Sequence, residues 1–126
     1  MSLDTILKSL ERLEALAGPA DLEALTLMLN ERLRQVEVEQ WAPSFDDTER
    51  QHGQLAAAAA SYALSVRQKA VLHVQTGALD VRPSAPHPSW PFPITTWRPA
   101  SMRRMAQKSG ALIWAELARE IRAGIP

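Results

Sequence analysis

The chain has 126 residues, and its fourteen basic side chains balance its fourteen acidic ones. A balanced charge gives no bulk electrostatic attraction to nucleic acid or to an anionic membrane. The sequence contains no cysteine, which excludes disulfides, thiolate catalysis and zinc sites built on cysteine.

The sequence shows neither a secretion signal nor a membrane span. Acidic side chains interrupt the N-terminal stretch, unlike the basic and then apolar start of a signal peptide. The longest apolar stretch runs only from Leu55 to Ala60, whereas a bilayer span needs about 20 such residues. We therefore expect a cytoplasmic protein that forms one domain over residues 1–126.

Residues 1–40 are predicted to form two amphipathic helices. Leucine and isoleucine recur at three- and four-residue steps from Leu3 to Leu16, and Gly18 with the following proline ends this pattern. Asp21 is expected to cap the second helix. The apolar side of that helix would consist of Leu22, Leu25, Met28, Leu29, Leu33 and Val36. The resulting αα-hairpin leaves an apolar face that further helices or another subunit must cover, which predicts a homo-oligomer.

A third helix is predicted over about residues 49–72. Asp46, Asp47 and Thr48 are candidate caps for it, because the Trp41-to-Phe45 stretch contains a proline that breaks the preceding helix. Alanine dominates the middle of this helix, so a neighbouring backbone can approach closely. We therefore place this segment at the centre of a bundle.

A proline-rich segment from Asp80 to Pro99 is predicted to separate the third helix from the last. Six prolines in this segment forbid a helix or a central strand. Its aromatic side chains argue against disorder, so we expect an extended strap laid across the helices. The last helix should begin after Ser101 and end near Ala123. Its predicted inner face is Met105, Leu112, Ile113, Leu117 and Ile121.

These elements predict an all-α fold, in which a four-helix bundle-like domain carries the strap between its third and fourth helices. The N-terminal hairpin (1–40) would be the oligomerising part, and residues 41–126 would form the core.

Acidic side chains and a histidine form the first candidate site. Glu31, Asp47, His52 and Glu116 lie on predicted helices or at their ends, where oxygen ligands could hold Mg²⁺ or Mn²⁺. The alternative is that the aspartates are helix caps and the glutamates pair with arginines on a solvated face. The candidate partners are Arg32, Arg34, Arg119 and Arg122. No strict metal-binding spacing is present in the sequence.

Basic and aromatic side chains form the second candidate site. Arg103 and Arg104 fall in the first turn of the last helix, a suitable place to bind phosphate, although they could instead pair with the acidic residues 46–49. The aromatic rings could stack a nucleobase or simply anchor the strap. The expected ligand-binding residues are Trp41, His52, Tyr62, Trp97, Arg98, Arg103 and Arg104.

Two long segments of the chain resemble a family of small phage and prophage proteins. The first runs from Glu31 to Leu64, and its matching residues are Glu31, Arg32, Arg34, Gln35, Trp41, Asp46, Asp47, His52, Gly53, Leu55, Ala56 and Tyr62. The second runs from Trp90 to Glu120, and its matching residues are Trp90, Pro91, Trp97, Pro99, Arg103, Arg104, Gly110, Ala111, Leu112, Ile113, Ala115 and Glu116. The resemblance implies a protein of a bacterial host cell.

The family is distantly similar to MazG-like all-α nucleotide pyrophosphohydrolases, in which acidic side chains on helices hold Mg²⁺ against a triphosphate. This similarity implies a metal-dependent nucleotide hydrolase or a nucleotide-binding descendant of one. The chain has Gln54 where the family usually has a glutamate, and Glu31-Arg32-Leu33-Arg34 keeps only the first acid of the paired MazG motif. These departures favour binding over hydrolysis, and enzymatic activity is left open.

Two functions follow from these patterns. The first is a phage accessory protein that binds a nucleotide or another phosphate-bearing small molecule, sequestering or hydrolysing it in counter-defence. The alternative is a helical interaction module that inhibits or adapts a host protein. The first predicts that the basic residues and the segment 46–52 converge on one pocket, and the second predicts an exposed apolar face on the first two helices.

Overall fold

The computed structural model describes residues 1–78 and 85–126, and the fold of this part is all-α, as predicted. Its helices are α1 (Leu3–Ala17), α2 (Ala20–Glu37), α3 (Pro43–Glu49), α4 (Gln54–Thr76) and α5 (Met102–Arg122), with one 3₁₀ turn at Ile94–Thr96. The described part thus has five α-helices in place of the four predicted. None of these helices has the length and apolarity that crossing a bilayer requires.

Serine side chains cap two of the helices, and the sequence predicts that the last helix begins after Ser101. The Ser2 hydroxyl accepts a hydrogen bond from the Thr5 N–H at 3.2 Å, and the Ser101 hydroxyl accepts one from the Arg104 N–H at 3.2 Å. Each bond satisfies a backbone donor that the helix itself leaves unpaired. The prediction for Asp21 is wrong, because α2 begins one residue earlier and Asp21 lies in its first turn.

The third helix predicted over about residues 49–72 is α4, which begins at Gln54, and a separate short helix, α3, precedes it over Pro43–Glu49. Pro43 occupies the first turn of α3, where its missing N–H costs nothing. Asp46, Asp47 and Thr48 therefore lie inside α3 instead of capping a later helix. Gly53 ends the break between α3 and α4 with a φ of +76°, a left-handed conformation that glycine adopts without a steric penalty.

Helix α5 is the centre of the bundle, since it packs against α2, α3 and most extensively α4. The α4–α5 core contains Leu55 and Ala58 on one helix and Met105, Leu112 and Ala115 on the other. The alanines let the two backbones approach closely, as the alanine-rich sequence predicts. Helix α1 stands apart, because α2 is the one described helix that it contacts.

The apolar faces predicted for α2 and α5 are wrong in part. Five of their members are exposed: Leu29, Leu33, Ile113, Leu117 and Ile121. Polar side chains are buried in their place: Glu31, Arg32 and Gln35 on α2, and Glu116 and Arg119 on α5. Burial of the two glutamates is tolerable because each pairs with an arginine three residues later on the same helix. Arg32 has no such pair, and its Nη1 has no hydrogen-bond partner among the described residues.

The strap lies across α4 in the part that the structure describes, while its residues 80–84 fall outside the described ranges. Trp97 stacks on Tyr62 with ring centroids 4.7 Å apart, and Trp90 meets both rings edge-on at 5.0 and 5.4 Å. A hydrogen bond of 3.0 Å between the Ser61 and Ser89 hydroxyls adds a polar attachment. The aromatic side chains therefore anchor the strap, one of the two roles considered for them.

Candidate functional site

A cavity of about 390 Å³ opens between α2, α4, α5 and the strap. This volume lies at the lower end of the roughly 300–1,000 Å³ typical of small-molecule sites. One wall is aromatic and the other carries basic side chains. The lining residues of the cavity run from Glu31 to Leu112, so tertiary packing is needed to bring them together.

Four aromatic rings form the first wall: Trp41, Tyr62, Trp90 and Phe92. Trp97 stands behind Tyr62 and is buried, so it supports this wall instead of lining it. Burial raises the pKa of the Tyr62 phenol, which keeps it neutral at physiological pH. Such a wall presents ring faces suited to stacking against another planar group.

Arg50 is buried among these rings. Its guanidinium carbon lies 4.4 Å from the Trp41 ring centroid, 5.0 Å from that of Phe92 and 5.1 Å from that of Phe45. The nearest carboxylate oxygen, on Asp46, is 3.9 Å away, too far for a hydrogen bond. Cation–π contacts thus hold the guanidinium in place, and its Nη1 has no hydrogen-bond partner among the described residues.

Arg98 and Lys108 complete the basic wall. One guanidinium nitrogen of Arg98 donates to the backbone carbonyls of Thr95 and Trp97, at 2.6 and 3.3 Å. Lys108 Nζ donates to the Arg98 carbonyl at 3.0 Å. Burial lowers the pKa of Lys108, and the positive charge of Arg104 lowers it further. Within residues 1–78 and 85–126, neither side chain has a carboxylate within 4 Å.

Glu31 lines the cavity, and two arginines neutralise its carboxylate. Arg34 donates two hydrogen bonds to its carboxylate, at 2.8 and 2.9 Å, and Arg104 forms a further ion pair with it. Burial alone would raise the pKa of Glu31, but the hydrogen bonds from both arginines bring it below its ordinary value. Arg34 also donates to Glu39 at 2.7 Å. Arg34 and Arg104 are therefore occupied by acids of the protein itself.

The structure does not bring the predicted metal ligands together. Asp47 accepts hydrogen bonds from Arg122 at 2.9 to 3.1 Å, Glu116 is paired with Arg119, and His52 is exposed. Among the described residues, no three acidic or histidine side chains are placed to hold a metal ion. The pairing of Glu31, Asp47 and Glu116 with nearby arginines is the alternative that the sequence left open.

The predicted ligand-binding residues divide into two sets. Trp41, Tyr62 and Arg98 line the cavity, Trp97 supports its wall, and Arg104 reaches its edge through Glu31. The lining includes neither Arg103 nor His52, both of which are exposed. The suggestion that Arg104 pairs with residues 46–49 is wrong, because its partner is on α2.

Gln54 has a structural role in the described fold. Its Oε1 accepts a hydrogen bond from the His52 N–H at 2.8 Å, and its Nε2 donates to the Glu49 carbonyl at 3.3 Å. The side chain thereby bridges the turn between α3 and α4. A glutamate could accept the first of these bonds but could not donate the second.

Sequence patterns did not identify Arg50 or Gln35 as members of the site. Both are buried, and the cavity that they line is completed by residues as distant in the chain as Phe92 and Lys108. Asp46 is predicted as a helix cap and as a match to the phage family. It is 1% exposed, and its carboxylate has no hydrogen-bond partner in the described part of the chain. Burial raises the pKa of Asp46, against the opposing effect of Arg50.

The cavity combines four aromatic rings with three cations, Arg50, Arg98 and Lys108. Asp46 lies 3.9 Å from Arg50, whereas Arg98 and Lys108 have no carboxylate within 4 Å among the described residues. This arrangement is suited to an anion that carries a planar group. No model of a known protein family, no curated protein and no solved structure matches the chain. The interpretation of the cavity therefore rests on its own geometry.

Proposed function

We propose that the protein binds a nucleotide, or another phosphate-bearing small molecule with a planar group, in the cavity between α2, α4, α5 and the strap. The observation that carries this proposal is the meeting of an aromatic wall with Arg50, Arg98 and Lys108. The phosphate would accept charge-assisted hydrogen bonds from Arg98 and Lys108. The planar group would stack on the aromatic wall.

Binding without chemistry agrees best with the contacts of the acidic residues. Hydrolysis by the predicted metal site would require carboxylates free to hold a cation. Glu31, Asp47 and Glu116 instead each accept two or more hydrogen bonds from arginine. We therefore propose sequestration, and the resemblance to phage proteins suggests a host signalling nucleotide as the molecule sequestered in counter-defence.

A second candidate function is interaction with a host protein through α1. The observation that favours it is that α1 has no buried residue, although leucine and isoleucine line one of its sides. The two functions use different surfaces, because no residue of α1 lines the cavity. They can therefore be tested separately.

The test is chromatography of a mixed pool of nucleoside triphosphates and cyclic signalling nucleotides. The pool is incubated with the protein and filtered, and the protein is then denatured by heat. We expect one species to leave the filtrate and to return chemically intact after heating. Depletion of no species at any protein concentration up to about that of the pool would overturn the proposal. A new product would overturn sequestration in favour of catalysis.

Matched variants test whether the ligand binds in the cavity. Arg98→Gln and Lys108→Gln should each weaken binding by about 10- to 100-fold, because a hydrogen bond to a charged group contributes roughly 1.5–3 kcal/mol. Arg103→Gln is the control, since it removes the same charge from an exposed residue outside the cavity. Calorimetric titration with the depleted species measures all three. Equal losses in the three variants would mean that the ligand binds elsewhere.

A further inference from the structure

Helix α1 exposes an apolar side that the described part of the chain leaves uncovered. The side chains of Leu3, Ile6, Leu7, Leu13 and Leu16 are all exposed, Leu7 by 58%. A helix of 15 residues is only marginally stable in water without tertiary packing. The one described helix that α1 contacts is α2. The helix therefore needs a partner for stability as well as for burial of its leucines.

Helix α2 does not supply that cover. Two of its own leucines, Leu29 and Leu33, are 42% and 46% exposed. The hairpin consequently presents apolar side chains from both of its helices at once. Two such hairpins placed together would bury both sets and form a four-helix arrangement of the kind seen in antiparallel bundles.

The surface area of the chain agrees with a missing partner. Its accessible surface is 8418 Å² at a mass of 13.9 kDa. A folded monomer of that mass has a surface of about 6,700 Å². The excess of about 1,700 Å² is ample for the roughly 800 Å² that each partner buries in an interface of standard size.

The charges on α1 indicate what kind of partner fits. Its polar side carries both signs, with Asp4, Glu11 and Glu14 opposed by Lys8 and Arg12, so it attracts neither a strongly acidic nor a strongly basic surface. Without a partner the folded chain exposes this apolar side to water. The partner must therefore be present wherever the chain is. We propose that this partner is a second copy of the chain, with two α1–α2 hairpins pairing about a twofold axis.

The test is the mass of the full-length protein in solution, with two variants that differ only in the side of α1 they change. Leu7→Glu places a charge in the proposed interface, and Ala15→Glu places the same charge on an exposed residue on the opposite side of α1, beside Glu11 and Arg12. A twofold axis repeats each substitution, so Leu7→Glu should raise the dimer dissociation constant by about 100-fold or more. Leu33→Glu should act similarly from α2.

Light scattering after size exclusion and sedimentation equilibrium measure these masses and constants. We expect twice 13.9 kDa for the wild type and for Ala15→Glu, and a shift towards 13.9 kDa for the two leucine variants. Helical circular dichroism should be unchanged in Ala15→Glu. In the two leucine variants it should fall by no more than the contribution of the 15 residues of α1, because only that helix loses its partner. A wild-type monomer at about 50 μM, well above the Kd of a stable dimer, would overturn the proposal. A dimer that tolerates Leu7→Glu and Leu33→Glu would also overturn it.

Discussion

Replacement of Glu31 by glutamine tests how the buried charges stabilise the fold. The carboxylate of Glu31 is 2% exposed, while its partners Arg34 and Arg104 are 34% and 32% exposed. A hydrogen bond to a charged group contributes about 1.5–3 kcal/mol when buried, but solvent reaches both arginines and screens them. We therefore expect Glu31→Gln to lower the free energy of unfolding by about 2–3 kcal/mol. For a domain of this size the melting temperature should fall by about 8 to 12 °C.

The matched control is Glu39→Gln, which replaces the same carboxylate by the same amide in a side chain that is 33% exposed. Glu39 accepts one hydrogen bond from Arg34, and the loss of such a surface pair should cost less than about 1 kcal/mol. Urea unfolding of the wild type and both variants at pH 7 measures the difference. Equal effects of the two substitutions would refute the reasoning that burial makes the Glu31 pair the stronger one.

The pH dependence of the Glu31 effect supplies a second check. The folded protein lowers the pKa of this carboxyl below its ordinary 4.5. Its contribution to stability is therefore present in full above the unfolded pKa and is lost as the pH falls through the folded pKa. The difference between wild type and Glu31→Gln should shrink accordingly in acid. A difference that stays constant between pH 7 and pH 3 would show that the arginine pairs are not its cause.

Three further predictions concern packing, burial and binding. Gly110→Ala should change the free energy of unfolding by less than about 1 kcal/mol. The alanine gains about 1 kcal/mol in helix propensity, but its Cβ would clash with the Met28 side chain, whose Cε lies 2.6 Å away. Thermal melts should reveal that gain in a Met28→Ala background. Asp46→Asn should raise the free energy of unfolding, measured in urea, at pH 7 but not near pH 3. Burial raises the pKa of this carboxyl, so its ionisation in the folded protein costs stability as the pH rises. Burial lowers the pKa of Lys108 below 10.5, and the affinity for an anionic ligand should fall as the pH rises through this pKa. Calorimetry should show no such fall for Lys108→Gln.

The sequence predicts the helical class and several helix ends because those features depend on neighbouring residues. Ser2 and Ser101 cap α1 and α5 through bonds to residues three positions later. The division of α3 from α4 was missed because Gly53 can adopt either a helical or a left-handed conformation, and only the turn selects the latter. Local patterns thus locate the first and last helices, whereas α2, α3 and α4 begin at other residues than predicted.

The buried polar faces could not be predicted from hydrophobic periodicity. That pattern places ionised side chains in water, whereas Glu116 and Arg119 are buried together with hydrogen bonds of 2.7 and 3.0 Å. A glutamate can form an ion pair with an arginine three residues later on the same helix. The same spacing between Asp47 and Arg50 does not produce a pair. Tertiary contacts decide among such pairs, and they also assemble the cavity.

The packing of Trp90 against Trp97 has a spectroscopic consequence. Their ring centroids are 5.0 Å apart and their planes meet at 76°. Electronic transitions of two indoles at this distance and angle couple, which produces a paired positive and negative band in circular dichroism. Because Trp97 also stacks on Tyr62 of α4, release of the strap would abolish the paired band while the helical bands persist. Detachment of the strap and melting of the helices can therefore be followed as separate optical signals in an unlabelled sample.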